Sequence, residues 1–245
     1  MQRTADWKAI YDTPLMDVGS CHTHCGGYCC KNFYASDFNI LSSNEVVLPM
    51  IDSEFEYLMS LGGMEGISDG AHSEEFSPVP GHTIKLWFMK CTAQGLCHPH
   101  CHRPFVCRLY PYLPLIDYEG NITGFDYSAL VDLFYTEKEQ HPCWLVTQQE
   151  AMVQRQLLEA LQPLIRNPEM IFILKASALV IDSLRKKVTG TFDPKDDVAR
   201  KAFLKHYEYE VFTRSPWRTK EFKREIADIY LTSFDLKPVA AQETA

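Results

Sequence analysis

Apolar residues recur at helical spacing throughout the C-terminal part of the chain. The stretch 148–165, QQEAMVQRQLLEALQPLI, predicts one helix, and Pro168 can begin a second that runs through EMIFILKASALVIDSLRKK. Asp193 can cap a third helix, DDVARKAFLKHYEYEVF, and Ser215 can open a fourth, WRTKEFKREIADIYLTSF. We therefore expect residues 145–245 to form a helical part.

The first part of the chain has shorter and more varied patterns. The run from Ser43 to Leu61 is apolar with interspersed acidic residues and predicts a helix. This helix either tolerates Pro49 near its start or is split by it. The stretch 62–81 is rich in Gly, Ser, Pro and acidic residues, and it predicts an exposed loop. Three apolar segments, HTIKLWFMK, YLPLIDY and ITGFDY, predict short strands, of which the last two pair as a hairpin around Gly120.

Composition narrows the class of protein. A chain of 245 residues with 46% hydrophobic content can bury a real core without disulfide bonds. The net charge of -8 makes nucleic acid an improbable partner, because affinity for phosphates comes mostly from Lys and Arg. The N-terminus lacks a secretory signal, and no stretch of about 18 apolar residues could span a bilayer. We expect a cytoplasmic protein that does not bind a membrane.

Nine cysteines carry the most chemistry in this sequence, and none of them follows residue 143. Eight lie in two clusters, CHTHCGGYCC at 21–30 and CTAQGLCHPHCHRPFVC at 91–107, and the ninth is Cys143 in HPCW. Cytosolic thiols stay reduced, so clustered cysteines there more often bind metals or do redox chemistry than form structural disulfides. The spacing therefore favours a metal site.

Thiolates are good ligands for zinc and iron, and close spacing lowers the entropy cost of gathering several around one ion. Gly26 and Gly27 can take positive backbone dihedrals that let the chain curl round an ion. The clusters could make two tetrahedral sulfur sites, two iron–sulfur clusters or one polynuclear site, and the sequence does not choose among these. Two other interpretations are buried reduced thiols and a thiol oxidoreductase that uses the vicinal pair Cys29 and Cys30.

With both clusters in view, the sequence resembles the YkgJ-type CxxCxxCC cysteine-cluster family of zinc- or iron-chelating proteins. The first half of the family pattern is matched by Cys21, Cys25, Gly26, Cys29 and Cys30. The second half, which leads into RPxxCRxxP, is matched by Cys91, Cys97, Arg103, Pro104, Cys107, Arg108 and Pro111. The resemblance covers roughly residues 21–111 and implies bound zinc, iron or an iron–sulfur cluster.

The sequence departs from the family pattern at two points. Each gap of the first cluster, CxxxCxxxCC, has an extra residue, and Cys101 falls where the family requires no cysteine. A relative with a related cluster, the flagellin lysine N-methylase, implies an alternative function as an iron–sulfur or iron-dependent enzyme with redox or methyl-transfer chemistry. The motif CxxxCxxxC also misses the radical S-adenosylmethionine signature by one residue, so we disfavour that subclass.

We therefore predict an α+β, predominantly helical fold with a cysteine-rich metal-binding N-terminal part that carries short strands, residues 1–144, and a helical C-terminal part, residues 145–245, packed on it as one globular unit. The predicted function is to bind zinc or iron, mononuclear or as an iron–sulfur cluster. The predicted ligands are Cys21, Cys25, Cys29, Cys30, Cys91, Cys97, Cys101 and Cys107. The residues predicted to contact these ligands are Arg103, Arg108, His22, His24, His98, His100 and His102. No catalytic residue and no role for Cys143 is assigned.

Overall fold

Two small antiparallel sheets and a set of helices make up the structured part of the chain. The structure is a computed structural model, and it describes residues 4–16, 18, 22–27, 29, 46–67, 71–93, 97, 99–128, 132, 138–191, 193, 196, 198, 199, 202 and 218–236. Within these residues the fold is mixed α+β, and both sheets lie before residue 128.

The first sheet has three strands in the order β1–β3–β2, which are Val46–Ile51, His82–Cys91 and His72–Val79. Pro49 lies opposite Phe88 on the edge strand β1, where a residue without an N–H is tolerated. Gly81, in the turn that joins β2 to β3, has a φ of 79°, which an L side chain rarely adopts. Cys91 ends β3 opposite Val46 and is buried.

The second sheet is a hairpin of β4, Tyr112–Ile116, and β5, Ile122–Tyr127. Asp117 closes its turn, since one carboxylate oxygen accepts the backbone N–H of Asn121 at 2.7 Å. The structure thus confirms the hairpin predicted from YLPLIDY and ITGFDY. It also confirms the strand predicted from HTIKLWFMK, which is β3.

Seven α-helices lie within the described residues: α1 (Trp7–Asp12), α2 (His22–Cys25), α3 (Asp52–Ser60), α4 (Phe105–Leu109), α5 (Trp144–Leu161), α6 (Pro168–Thr191) and α7 (Lys220–Ser233). Two 3₁₀ turns, His100–His102 and Lys138–Gln140, precede α4 and α5. The helix predicted at Pro168 is confirmed. The helix predicted over 148–165 begins earlier, at Trp144, and ends at Leu161.

The hydrophobic core joins the helices to both sheets. On α5, the side chains of Val146, Val153, Leu157 and Leu161 are completely buried and recur every four or seven residues, which places them on one helix face. Burying each such side chain stabilises the fold by about 1.5–3 kcal/mol. The long helix α6 packs against β4, and α7 packs against α6 and β2. A second, smaller core is built there from Val79, Phe172 and Tyr230.

Two predicted elements in the first part are wrong. The run from Ser43 to Leu61 is not one helix, because β1 occupies 46–51 and α3 starts only at Asp52. Pro49 disfavours a helix at this point, and the extended backbone of 46–51 pairs with β3. The stretch 62–81 is not a loop throughout, since it contains β2, whose side chains are mostly exposed and therefore carry no apolar alternation.

The predicted fold class is also wrong as stated. The mixed α+β fold with two small antiparallel sheets is present, but the cysteine-rich metal-binding N-terminal part is not found among the described residues. Among the described residues, no group of three or more His, Cys, Asp or Glu side chains is arranged to hold a metal ion. The sequence pattern gives the spacing of donors along the chain, whereas the sheets and helices set the distances between them.

Two further predictions meet the limits of the described residues. The third predicted helix, DDVARKAFLKHYEYEVF, falls mostly outside them. The fourth begins at Lys220 rather than near Ser215, and Thr219 caps it by accepting the N–H of Phe222 at 3.1 Å. No helix in the described ranges is long and apolar enough to cross a bilayer.

Candidate functional site

The second cysteine cluster leads into residues 103–111, RPFVCRLYP, which we call the arginine segment. Pro104 precedes the short helix α4, and the free N–H of Phe105 at its start donates to a carboxylate oxygen of Glu54 at 2.6 Å. Glu54 lies on α3 and is 5% exposed. Tyr11 of α1 donates to the same oxygen at 2.9 Å. The carboxylate of Glu54 therefore ties α4 to α1 and α3.

Arg108 completes this network from the other side of α4. Its guanidinium donates to the backbone carbonyls of Ile10, at 2.8 Å, and Thr13, at 2.5 Å, and it lies 5.2 Å from the ring centre of Tyr11. These bonds hold the end of α1. The sequence predicts Arg108 beside thiolates, and the charge of Cys101 does act on its pKa, but its hydrogen bonds go to the main chain.

The buried groups of this network have shifted pKa values. Burial raises the pKa of Glu54 to about 7, although the N–H of Phe105 and the hydroxyl of Tyr11 both favour the carboxylate. Burial raises the pKa of Tyr11 as well, and the charge of Glu54 adds to that rise. Burial lowers the pKa of Arg108. The carboxyl group of Glu54 is thus the group in this network that titrates near neutral pH.

The thiols of Cys91 and Cys97 lie within electrostatic range of each other and of Arg103. Burial raises the pKa of the Cys91 thiol, the thiol of Cys97 raises it further, and Arg103 lowers it. Arg103 also donates to the carbonyl of Cys107 at 2.8 Å. Cys101 is exposed and Cys107 is half-buried. The fold thus places one guanidinium between the end of β3 and α4.

Of the three histidines in the second cluster, His102 has a defined hydrogen bond among the described residues. His102 places Nδ1 3.0 Å from the carbonyl oxygen of Gly63, so that nitrogen carries a proton and donates to it. His100 begins the 3₁₀ turn that contains Cys101, and His98 lies outside the described residues. The bond of His102 fixes the 3₁₀ turn against the loop after α3.

The first cluster is described in part. Helix α2 ends at Cys25, and Gly26 and Gly27 follow with φ values of 62° and 78°, which confirms the positive dihedrals predicted for both glycines. The thiols of Cys25 and Cys29 are half-buried. His22 begins α2, whereas Cys21 and Cys30 lie outside the described residues.

The first cluster is anchored to α5. The imidazole of His24 stacks on the indole of Trp144 with ring centres 4.4 Å apart and planes 12° from parallel. Cys25 packs against the core cluster that contains Cys143, and its thiol acts on the pKa of Cys143. We call residues 141–144, HPCW, the α5 start. The α5 start thus places Cys143, to which the sequence assigns no role, beside the first cluster.

Three groups lie buried at the α5 start. His141 places Nε2 2.9 Å from a carboxylate oxygen of Asp132, and neither side chain is exposed to solvent. The backbone N–H of Cys143 donates to Nδ1 of His141 at 3.0 Å. Burial raises the pKa of the Cys143 thiol to about 12, while the amides of Leu145 and Val146 lower it. Sequence patterns do not predict this network. The signal that could have indicated it is the run His–Pro–Cys directly before a helix.

Four of the seven described thiols form two neighbourhoods, one of Cys91 and Cys97 with Arg103 near Cys91, the other of Cys25 and Cys143 near Trp144. None of the seven cysteines that the structure describes is in a disulfide bond. Thiols with guanidinium groups and helix amides nearby are donors that suit a thiophilic ion. Sulfur donors suit zinc or iron, although no group of three or more donor side chains is placed to hold an ion among the described residues.

Comparison with known proteins adds no relative. No family model matches the chain, and neither a curated protein nor a solved structure is significantly similar to it. The resemblance to the CxxCxxCC family stays a prediction from the motifs.

Proposed function

We propose that this chain binds a thiophilic metal ion, zinc or iron, mononuclear or as an iron–sulfur cluster, through cysteines of both clusters. The ligands are drawn from those predicted by sequence, with Arg103 as the neighbouring positive charge. The observation that carries the proposal is the pairing of Cys91 with Cys97 beside the guanidinium of Arg103. A bound zinc would stabilise the fold, and a bound iron–sulfur cluster would add electron transfer.

Electrostatics supports this assignment. Two thiolates close together repel each other, which is why the thiol of Cys97 raises the pKa of Cys91. A divalent cation reverses that repulsion, and thiols that bind it release their protons. Arg103 offsets the negative charge that several thiolates leave on one ion. Burial favours the neutral thiol of Cys91, and Arg103 acts in the opposite direction, toward the thiolate that a metal ion binds.

Anaerobic purification of the full chain, followed by metal analysis and an absorption spectrum, tests the proposal. Colourless protein with stoichiometric zinc supports a structural or binding site. Iron with sulfide and a broad band near about 400 nm supports an iron–sulfur cluster and directs attention to the alternative function as an enzyme. Folded protein that holds neither metal, and takes up neither when it is supplied, overturns the proposal.

A matched pair of variants on α4 sharpens the test. We expect Cys107→Ser to lower both the metal content and the thermal stability, because serine is a poor ligand for a thiophilic ion. Val106→Ser makes a polar change on the neighbouring half-buried residue and removes no thiol, so its metal content should stay that of the wild type. Equal metal content in the two variants would remove Cys107 from the ligand set.

We also propose a cytoplasmic location, on the sequence grounds given above. Fractionation of cells that express the tagged chain tests the location, and recovery from the periplasm or from a secreted fraction would overturn it.

A further inference from the structure

The α5 start joins the first cysteine cluster through two adjacent contacts. The rings of His24 and Trp144 stack at 4.4 Å, and the residues that follow and precede them, Cys25 and Cys143, have thiols in electrostatic range. Both cysteines contact the same hydrophobic core. The stacked ring pair thus holds two cysteine-bearing segments, more than a hundred residues apart in sequence, against each other.

The backbone of Cys143 is fixed by a buried pair. Its N–H donates to Nδ1 of His141, so the proton of the imidazole sits on Nε2 and is donated to Asp132. Tyr110 donates to the same carboxylate oxygen at 3.2 Å, and the ring of Tyr127 stacks on the imidazole with centres 5.4 Å apart. The imidazole is therefore fixed in tautomer, in plane and in position.

Such a pair costs free energy to bury. A carboxylate and an imidazole with no solvent exposure need compensating bonds, and the same volume filled with apolar side chains is often at least as stable. What this pair holds in place is the amide of Cys143. Cys143 itself is buried and is the residue directly before the first turn of α5.

We propose that Cys143 is a ligand, beside Cys25, of the thiophilic metal ion, and that Asp132 and His141 are the positioning pair that aims it. This inference rests on the proposed metal-binding function. The proposed ligand lies outside both sequence clusters, so the α5 start would border the metal site. The ion it suits is zinc or iron, because the donors are soft sulfur atoms.

Cobalt substitution tests the ligand. The full chain, stripped with a chelator and loaded with Co²⁺ under anaerobic conditions, should gain sulfur-to-cobalt charge-transfer bands whose intensity rises with the number of thiolate ligands. We expect Cys143→Ser to lower that intensity per bound cobalt and to weaken metal affinity at least about tenfold. Val146→Ala, a truncation of a completely buried residue at the same helix turn, should lower stability and leave the intensity per cobalt unchanged.

The outcomes separate the two proposals. Wild-type protein that binds neither Co²⁺ nor zinc refutes the proposed function as a whole. Wild-type protein that binds cobalt, with the same charge-transfer intensity per cobalt in Cys143→Ser, refutes only the role of Cys143. Recovery of a Cys25–Cys143 disulfide from anaerobically purified protein also refutes it, because the pair would then serve redox chemistry.

The positioning pair is tested by a graded series. His141→Asn places an amide oxygen close to the position of Nδ1, so it can still accept the N–H of Cys143, whereas His141→Ala cannot. We expect cobalt affinity to fall about 10- to 100-fold in His141→Ala and less in His141→Asn. Equal charge-transfer spectra and equal affinities in the two variants and the wild type would show that the pair does not position a ligand.

A fluorescence measurement locates the ion without a change of ligand. Cobalt bound beside Cys143 should quench Trp144, its neighbour in sequence, more strongly than distant tryptophans. We expect Trp144→Phe, which keeps an aromatic ring for His24 to stack on, to lose most of the cobalt-dependent quenching. The same absolute quenching in both proteins would place the ion away from the α5 start and overturn the proposal.

Discussion

The arginine segment and the α5 start each hold a cysteine directly within or before a helix, yet the fold uses their charged residues differently. In the arginine segment, Arg108 and Glu54 bond to main-chain groups and join three helices. At the α5 start, His141 and Asp132 hold the amide of a single cysteine. The first network joins three helices, and the second fixes the backbone of one cysteine directly before a helix.

The difference teaches that a specific sequence motif can serve the stability of the fold rather than the proposed metal site. RPFVCRLYP carries the sharper sequence signature, but its Arg108 is an anchor for α1. HPCW carries no signature of its own, and it supplies the thiol that meets the first cluster. We expect changes in the arginine segment to affect stability whether or not metal is bound, and changes at the α5 start to act mainly when it is bound.

The largest expected effect is that of Arg108→Met. Two charge-assisted hydrogen bonds to Ile10 and Thr13 are lost, and each is worth about 1.5–3 kcal/mol, so we expect a loss of about 4 kcal/mol in the free energy of unfolding. Urea unfolding with and without metal measures it. Arg155→Met, at an exposed position on α5, should change stability by less than about 0.5 kcal/mol. A loss in Arg108→Met that disappears in the metal-free protein would mean that Arg108 serves the metal rather than the fold.

The case of Arg108 also indicates how far the sequence could lead. Local patterns predict β3, the β4–β5 hairpin and the helix at Pro168, because each has its own periodicity or turn residues. Local patterns do not predict the edge strand β2, because most of its side chains are exposed and its sequence resembles a loop. Only its pairing with β3 makes it a strand. Partners such as Glu54 for Phe105, or Cys143 for Cys25, are set by tertiary packing across long sequence separations, which no local pattern records.

The next largest effect is the pH dependence that Glu54 imposes on the arginine segment. Its pKa is raised from 4.5 to about 7 in the folded state, so between these values the folded protein binds more protons than the unfolded chain. The free energy of unfolding should therefore fall as pH rises from about 4.5 to about 7, by up to about 3 kcal/mol.

Glu54→Gln tests this assignment, because glutamine keeps an oxygen that can accept from Phe105 and Tyr11 but does not titrate. Urea unfolding at a series of pH values should show the fall in wild type and not in the variant. Glu139→Gln, an exposed acid in the second 3₁₀ turn, should retain the wild-type slope. An unchanged slope in Glu54→Gln would assign the pH dependence to other groups.

Metal removal should act unequally on the two regions. At a free metal concentration of about a hundred times the dissociation constant, binding stabilises the fold by about 2.7 kcal/mol. Hydrogen exchange after chelation should therefore speed up at Cys25–Gly27 and at the first turn of α5. The amides of Phe105 and Arg108, held by Glu54 and by α4 itself, should change less. Hydrogen exchange that speeds up equally in both regions would mean that metal binding stabilises the arginine segment as much as the α5 start.

The smallest expected effect comes from His24→Ala, and it isolates the contact between the first cluster and α5. Loss of the stack on Trp144 should cost about 1 kcal/mol of stability and should also weaken metal binding, because the segment that carries Cys25 is no longer held against the α5 start. His72→Ala is the matched control: His72 is also exposed and stacked, on Phe88 with ring centres 5.2 Å apart, but on the edge strand β2. Urea unfolding should give losses of similar size in the two variants, whereas a cobalt titration should weaken only in His24→Ala. Equal cobalt affinities would mean that Cys25 and Cys143 meet through core packing alone.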